Sequence, residues 1–231
     1  MNAVMETAVQ TQVEALLRHP GLWRGDRLAT TALPGLASGH AALDALLPGG
    51  GWPQGALTEL IVAEPGIGEF SLVLPALATL SREDRWIVLI APPHLPYAPA
   101  LAAAGVSLSR LLLVRAANTA DTLWAMEQAL RSGACAAVLA WPGGSNERAQ
   151  RRLQLAAEAG ASWGVWFTPA RQAASTSTAA LRLKLAPAAG GIEVRFLKRR
   201  GGGPVRPLVL HHDVARPARP RPGPAGLSPA A

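Results

Sequence analysis

The sequence predicts an α/β fold: a mostly parallel sheet flanked by helices, followed by an antiparallel extension and a disordered tail. Three observations carry this. Short apolar runs alternate with amphipathic helical stretches from about residue 57 to residue 167, as parallel strands with crossover helices require. One of those runs is followed directly by a Gly-rich turn, Ala63-Glu64-Pro65-Gly66-Ile67-Gly68-Glu69-Phe70. After Thr168 the pattern changes to closely spaced strand-like runs around Gly190-Gly191, a hairpin signal.

The elements follow in order. Residues 4–17 place Val4, Ala8, Val13, Leu16 and Leu17 near one helical face. His19-Pro20 ends that stretch, and Trp23 lies in the loop beyond it. Residues 39–47 read as a short helix closed by Pro48-Gly49-Gly50-Gly51-Trp52-Pro53. Leu57 to Val62 is a strand, and a helix is expected over Ser71 to Leu77. Trp86 to Ala91 is an unbroken apolar run, as a strand buried on both faces requires. A rigid loop, Pro92-Pro93-His94-Leu95-Pro96-Tyr97, leads to a helix over 98–104. Leu111 to Val114 is a strand, and Thr119 offers an N-cap for a helix stopped at Gly133. Ala136 to Trp141 and Ser162 to Phe167 are strands, with a helix over Asn146 to Ala159 between them. Pro169 to Thr178, which contains Arg171, reads as a polar loop. Leu181 to Leu185, Ile192 to Leu197 and Val205 to Leu210 read as three strands. The chain divides into an N-terminal helix and linker (1–37), a core (38–210) and a Pro/Arg-rich tail (211–231).

Composition bounds the function. The 231 residues are 49% hydrophobic and 16% charged, enough for one α/β domain with a full core. Cys135 is the single cysteine, so the chain has no internal disulfide and fits a reducing compartment. No apolar run approaches the ~18 residues of a membrane span. The N-terminus lacks the basic and apolar regions of a signal peptide. A cytoplasmic protein with no membrane contact is expected. The net charge of +7 lies wholly in residues 195–231, where eight basic residues face one acid. A polyanion or an acidic partner at that end is the expectation, with a merely solubilising tail as the alternative. Lys198, Arg199, Arg200 and Arg206, with Arg171, are the candidate DNA or partner contacts. Trp23 and Trp52, flanked by loops, are candidates for a partner surface.

The Gly-rich turn has the strand, loop and helix order of a nucleotide-binding P-loop. Where that motif needs Gly, Gly, Lys and Ser/Thr, this chain has Ala63, Gly68, Glu69 and Phe70. The missing lysine would neutralise phosphates and the missing hydroxyl would ligate magnesium. A carboxylate ~4 Å from a phosphate charge is opposed by roughly 4 kcal/mol at an effective dielectric near 20. Glu69 reads instead as a built-in anion at the helix start. The octapeptide alone fits an ordinary Gly-rich turn equally well.

A resemblance becomes specific when these segments are joined. Gly50-Gly51-Trp52-Pro53-Gln54-Gly55 with Thr58-Glu59-Leu60 resembles the start of the RecA core. Leu197-Lys198-Arg199-Arg200-Gly201-Gly202 resembles its late strand and basic turn. Gly66-Ile67-Gly68-Glu69, Ile90-Ala91-Pro92-Pro93-His94-Leu95-Pro96-Tyr97, Leu123-Trp124-Ala125, Leu139-Ala140-Trp141-Pro142 and Arg151-Arg152-Leu153-Gln154 are similar to the ImuA family within that superfamily. The resemblance runs from about residue 15 to 210.

It implies a RecA-like core and a role in SOS-induced, error-prone translesion DNA synthesis. The implied partners are an ImuB-like Y-family protein, an error-prone replicative-type polymerase and RecA, with non-specific DNA contact through the basic C-terminus and association with the nucleoid. It also implies that Trp141 stands where the Walker B Asp belongs, and that Ala91-Pro92-Pro93-His94 stands where a catalytic acid belongs. No catalytic residue, cofactor or metal is then expected. The alternatives are a SulA-like division inhibitor that binds FtsZ, from a related degenerate core, and a weak RecA-like ATPase.

Overall fold

A computed structural model of the chain describes residues 35–144, 147–173, 176–199 and 205–211. The expected helix over 4–17, Trp23, Arg200 and the tail from 212 lie outside them. Eight strands form one sheet in the order β3-β2-β4-β5-β1-β6-β7-β8. They are β1 (Leu57–Val62), β2 (Trp86–Ile90), β3 (Leu111–Val114), β4 (Cys135–Ala140), β5 (Trp163–Pro169), β6 (Leu181–Ala188), β7 (Gly191–Lys198) and β8 (Leu208–His211). The first six are parallel, and β7 and β8 are added antiparallel. The predicted α/β architecture with a C-terminal antiparallel extension is therefore present.

Sequence explains the placement of these strands. Every residue of β1 and β4 is buried, so both faces of the central sheet need cover and the strands are apolar throughout. The helices supply that cover on two sides. Those connecting the parallel strands are α2 (Leu74–Leu80), α3 (Ala98–Ala103), α4 (Thr119–Arg131) and α5 (Glu147–Ala159), and a short α1 (Ala41–Asp44) precedes the sheet. One core joins α1 and α2 to Leu60, Leu89, Leu139 and Phe167. The other joins α4 and α5 to Leu57, Ile90, Val138 and Trp166. Between α4 and α5, buried Glu127 receives Arg131 at 2.9 Å and also pairs with Arg152.

Among the boundaries that differ from expectation are two helix starts. The N-cap of α4 is Asn118, whose side-chain oxygen accepts from the Asp121 N–H at 2.9 Å. Thr119 is already inside the helix. The helix after the Gly-rich loop begins at Leu74, with Pro75 in its first turn, three residues later than Ser71. Proline lacks the N–H that a first-turn residue leaves unpaired anyway, so it favours a start there. Among the described residues no helix is long and apolar enough to cross a membrane.

Candidate functional site

The parallel strands direct their carboxyl ends to one edge of the sheet, where ligands of open α/β sheets ordinarily bind. The loops after β1, β2, β4 and β5 meet there. In the loop after β1, Gly66 and Gly68 have φ of 85° and 92°, a region that glycine enters without steric cost. Glu69 turns back into this loop, and its Oε1 accepts the Gly66 N–H at 3.1 Å. Its carboxylate thus does serve a loop amide. It is not in the first turn of a helix, because the helix starts only at Leu74. Ala63 is fixed separately, its N–H donating to the Leu185 carbonyl at 3.0 Å.

The next residue, Phe70, lies against Trp141 with ring centroids 6.0 Å apart. Trp141 in turn stacks on Phe167 at 4.5 Å with the planes within 1°. These three rings come from the loops after β1 and β4 and from β5. They form an aromatic column packed onto the core beneath α2. Phe70 and Trp141 are the residues expected from the motif and the family resemblance at the hydroxyl and Walker B positions. Aromatic pairs at such spacing, one tilted and one stacked, add about 0.5–1.5 kcal/mol each beyond the area they bury. The column offers neither a cation nor an oxygen to a phosphate or a metal. Phe167 belongs to no motif in the sequence. Its one signal was its position at the carboxyl end of a buried strand.

After β2 the chain turns at Ala91, a non-glycine residue with φ of 49°. The Pro-rich loop beyond it exposes Leu95 and Tyr97. His94 and Arg115 line a shallow depression at the ends of β2 and β3. No nucleophile or metal cluster accompanies His94: among the described residues no group of three or more His, Cys, Asp or Glu could hold a metal ion. Cys135 is buried, and burial pushes its thiol up from its ordinary range, away from the reactive thiolate.

Deeper in the sheet, Glu59 of β1 and Arg182 of β6 are register partners. They form a buried ion pair, Nε to Oε2 at 2.8 Å, and the Thr168 hydroxyl donates to the other carboxylate oxygen at 3.2 Å.

Among the described residues, the C-terminal basic side chains have different surroundings. Lys198 donates to the Ser177 carbonyl at 2.8 Å. Arg199 is half-buried, donates to the Leu46 carbonyl at 2.6 Å and lies 5.8 Å over the Phe196 ring. The carboxyl end of β7 is thereby tied to the body of the protein. Arg206 is exposed ahead of β8, and Arg171 is exposed in the turn after β5. The largest correction concerns Trp52. It is fully buried, stacked on Trp163 at 5.3 Å and bridged through its backbone to Leu36. The glycines and prolines around it do not expose it, because its backbone pairs with Leu36 and its ring packs on Trp163. It is a core residue and not a partner surface.

A family model described as "Cell division inhibitor SulA" matches residues 55–164. Similar proteins include the cell division inhibitor SulA of Edwardsiella piscicida, 37% identical over 113 residues, which are 47% of this chain and 67% of that protein. Protein ImuA of Caulobacter vibrioides (strain NA1000 / CB15N) is 34% identical over 140 residues, which are 58% of this chain and 57% of that protein. The crystal structure of SulA from Pseudomonas aeruginosa is 30% identical, with 48% of this chain covering 97% of it at a TM-score of 0.42.

Proposed function

We propose that this chain, which belongs to the SulA family, works by binding and not by catalysis. It is a degenerate RecA-like accessory protein of SOS-induced, error-prone translesion synthesis, acting as ImuA does. Its partners in this reading are an ImuB-like Y-family protein and an error-prone polymerase, with RecA or DNA as further contacts.

The observation that carries the non-catalytic reading is the Phe70–Trp141–Phe167 column. On the P-loop reading, aromatic carbon stands where an ATPase would assemble magnesium and its carboxylate. Glu69 caps the loop amide that would otherwise face a phosphate. The parent chain is expected to show no magnesium-ATP binding by calorimetry. The Glu69→Lys, Phe70→Thr double variant is expected to stay silent while Trp141 remains, and tight binding by the parent overturns the reading.

Two observations favour the ImuA-like role. The ImuA match extends over 58% of this chain, against 47% for the SulA of E. piscicida. Strands β6 to β8 lie beyond the 55–164 segment of the SulA model. The family model itself favours a second reading, division inhibition through FtsZ. Deletion of the gene and pull-down of the full chain separate the two. Loss of damage-induced mutagenesis together with capture of an ImuB-like protein supports ours, with Arg199→Ala and Arg200→Ala as a control for basic contacts. Filamentation on overproduction without DNA damage supports the division reading and overturns ours.

A further inference from the structure

Helices α4 and α5 lie side by side and run in the same direction, since each returns from the carboxyl edge of the sheet to begin the next parallel strand. Glu127 of α4 locks them together. Its two carboxylate oxygens accept from Arg131 of the same helix and from Arg152 of α5. Residues three or four apart on a helix share a face. Trp124 therefore stands about one turn from Glu127, and Arg148 about one turn from Arg152, both toward the carboxyl edge. Leu155 stands about one turn from Arg151 and Arg152 in the other direction. The buried face of α4 is Thr122, Met126, Glu127 and Leu130, which leaves the Trp124 indole outside. Trp124 is 63% exposed and Leu155 55%. Arg148 and Arg151 are exposed, and so are the side chains of Arg131 and Arg152. Glu127 accepts from one nitrogen of each of the last two, and a guanidinium has five N–H donors.

This face is apolar at its two ends and cationic between them. Its ligand must be apolar at both ends and anionic at its centre. A second copy of this chain fits poorly, because two-fold pairing of the face sets arginines against arginines, and like-charge juxtaposition is unfavourable. Residues 212–231 of the chain itself bring three arginines and one acid, the same sign. A continuous phosphate backbone would meet exposed Asp121 and Glu147 at one end and exposed Glu158 at the other. An acidic helix has the complementary pattern. Along the helix direction Trp124 and Leu155 are about 9 Å apart, at a rise of about 1.5 Å per residue. A helix laid along α4 and α5 presents residues i and i+7 on one face about 10 Å apart, with i+3 and i+4 between them.

We propose that the outer face of α4 and α5 is a docking site for an acidic amphipathic helix of a partner protein. Apolar residues at i and i+7 of that helix sit on Trp124 and Leu155, and carboxylates at i+3 and i+4 face Arg148, Arg151 and Arg152. Tryptophan and arginine are the side chains in which interface binding energy concentrates. The proposal rests on the binding role and deepens it by naming a surface and a class of partner.

The test titrates the full chain into a fluorescein-labelled peptide, Ala-Glu-Leu-Ala-Ala-Glu-Glu-Ala-Ala-Leu-Ala-Glu-Ala. One control peptide has lysine at each glutamate, and another has the same residues with the leucines moved to opposite faces. The acidic peptide is expected to bind saturably and to gain helical circular dichroism on binding, since so short a helix is marginal alone. Both controls are expected to bind roughly tenfold or more weakly. Trp124→Ala and the combined Arg148→Glu, Arg151→Glu variant, all at exposed positions, are expected to keep the parent melting temperature and to weaken binding by a similar factor. No binding, equal binding of either control or unchanged affinity in Trp124→Ala overturns the proposal. So does tighter binding of a single-stranded oligothymidine that is lost in the Arg148→Glu, Arg151→Glu variant, which would make a nucleic acid the occupant. A dimer of the free chain that Trp124→Ala dissolves also overturns it, since a second copy would then cover the face. Each of these failures leaves the capture of an ImuB-like protein standing, so the surface and the function fail separately.

Discussion

Replacing Glu59 with alanine is expected to destabilise the fold by about 3–5 kcal/mol. Glu59 is 1% exposed and Arg182 6%. Truncating the carboxylate removes the charge that Arg182 Nε meets at 2.8 Å and takes the acceptor from the Thr168 hydroxyl. Urea unfolding followed by tryptophan fluorescence measures this as a lower midpoint at unchanged slope. The pair itself is not a source of net stability, because desolvating two charges offsets most of their attraction. The combined Glu59→Leu, Arg182→Met variant is therefore expected to fall close to the parent. A loss below about 1 kcal/mol in Glu59→Ala would mean that water reaches the pair, as it does at a surface bridge.

Replacing Trp52 with alanine is expected to cost about 3–5 kcal/mol, the usual range for emptying a large buried aromatic site. Trp52 packs on Trp163, whose indole N–H donates to the Thr58 hydroxyl at 3.1 Å. The cavity would therefore open beside a fixed hydrogen bond, where collapse is restricted. A thermal melt and a pull-down at a temperature below that melt separate stability from recognition. Partner capture is expected to persist in the folded fraction, and Trp52→Phe is expected to retain most of the stability. An unchanged melt with lost capture would return Trp52 to the surface role that its loop context first implied.

These residues mark what the sequence could convey. Periodicity places β1 at Leu57–Val62 and β3 at Leu111–Val114 as observed, because apolar runs bounded by turns are local signals. The alternation of runs and helices also foretells the parallel sheet. Local signals end at the level of pairing. Glu59 and Arg182 are 123 positions apart, and only the placement of β6 beside β1 makes them partners. Phe70, Trp141 and Phe167 show the same limitation. Two of them could be singled out as misfits in a motif, but that they touch depends on strand order. Trp52 fails for a related reason. Gly49, Gly50 and Gly51 announce a bend correctly, yet a bend says nothing of what folds over it. Leu112 lies in a strand that its apolar run marks, but only the strand order makes that strand an edge of the sheet.

The aromatic column has a thermodynamic consequence. A protein whose nucleotide site is filled by ligand gains stability by mass action, about 2.7 kcal/mol when the ligand stands at about 100 times its Kd. That gain rises and falls with the cell's energy state. Contacts among Phe70, Trp141 and Phe167 are intramolecular, and an intramolecular contact carries no concentration dependence. What the column itself contributes to the carboxyl edge of this sheet therefore does not vary with the concentration of any ligand.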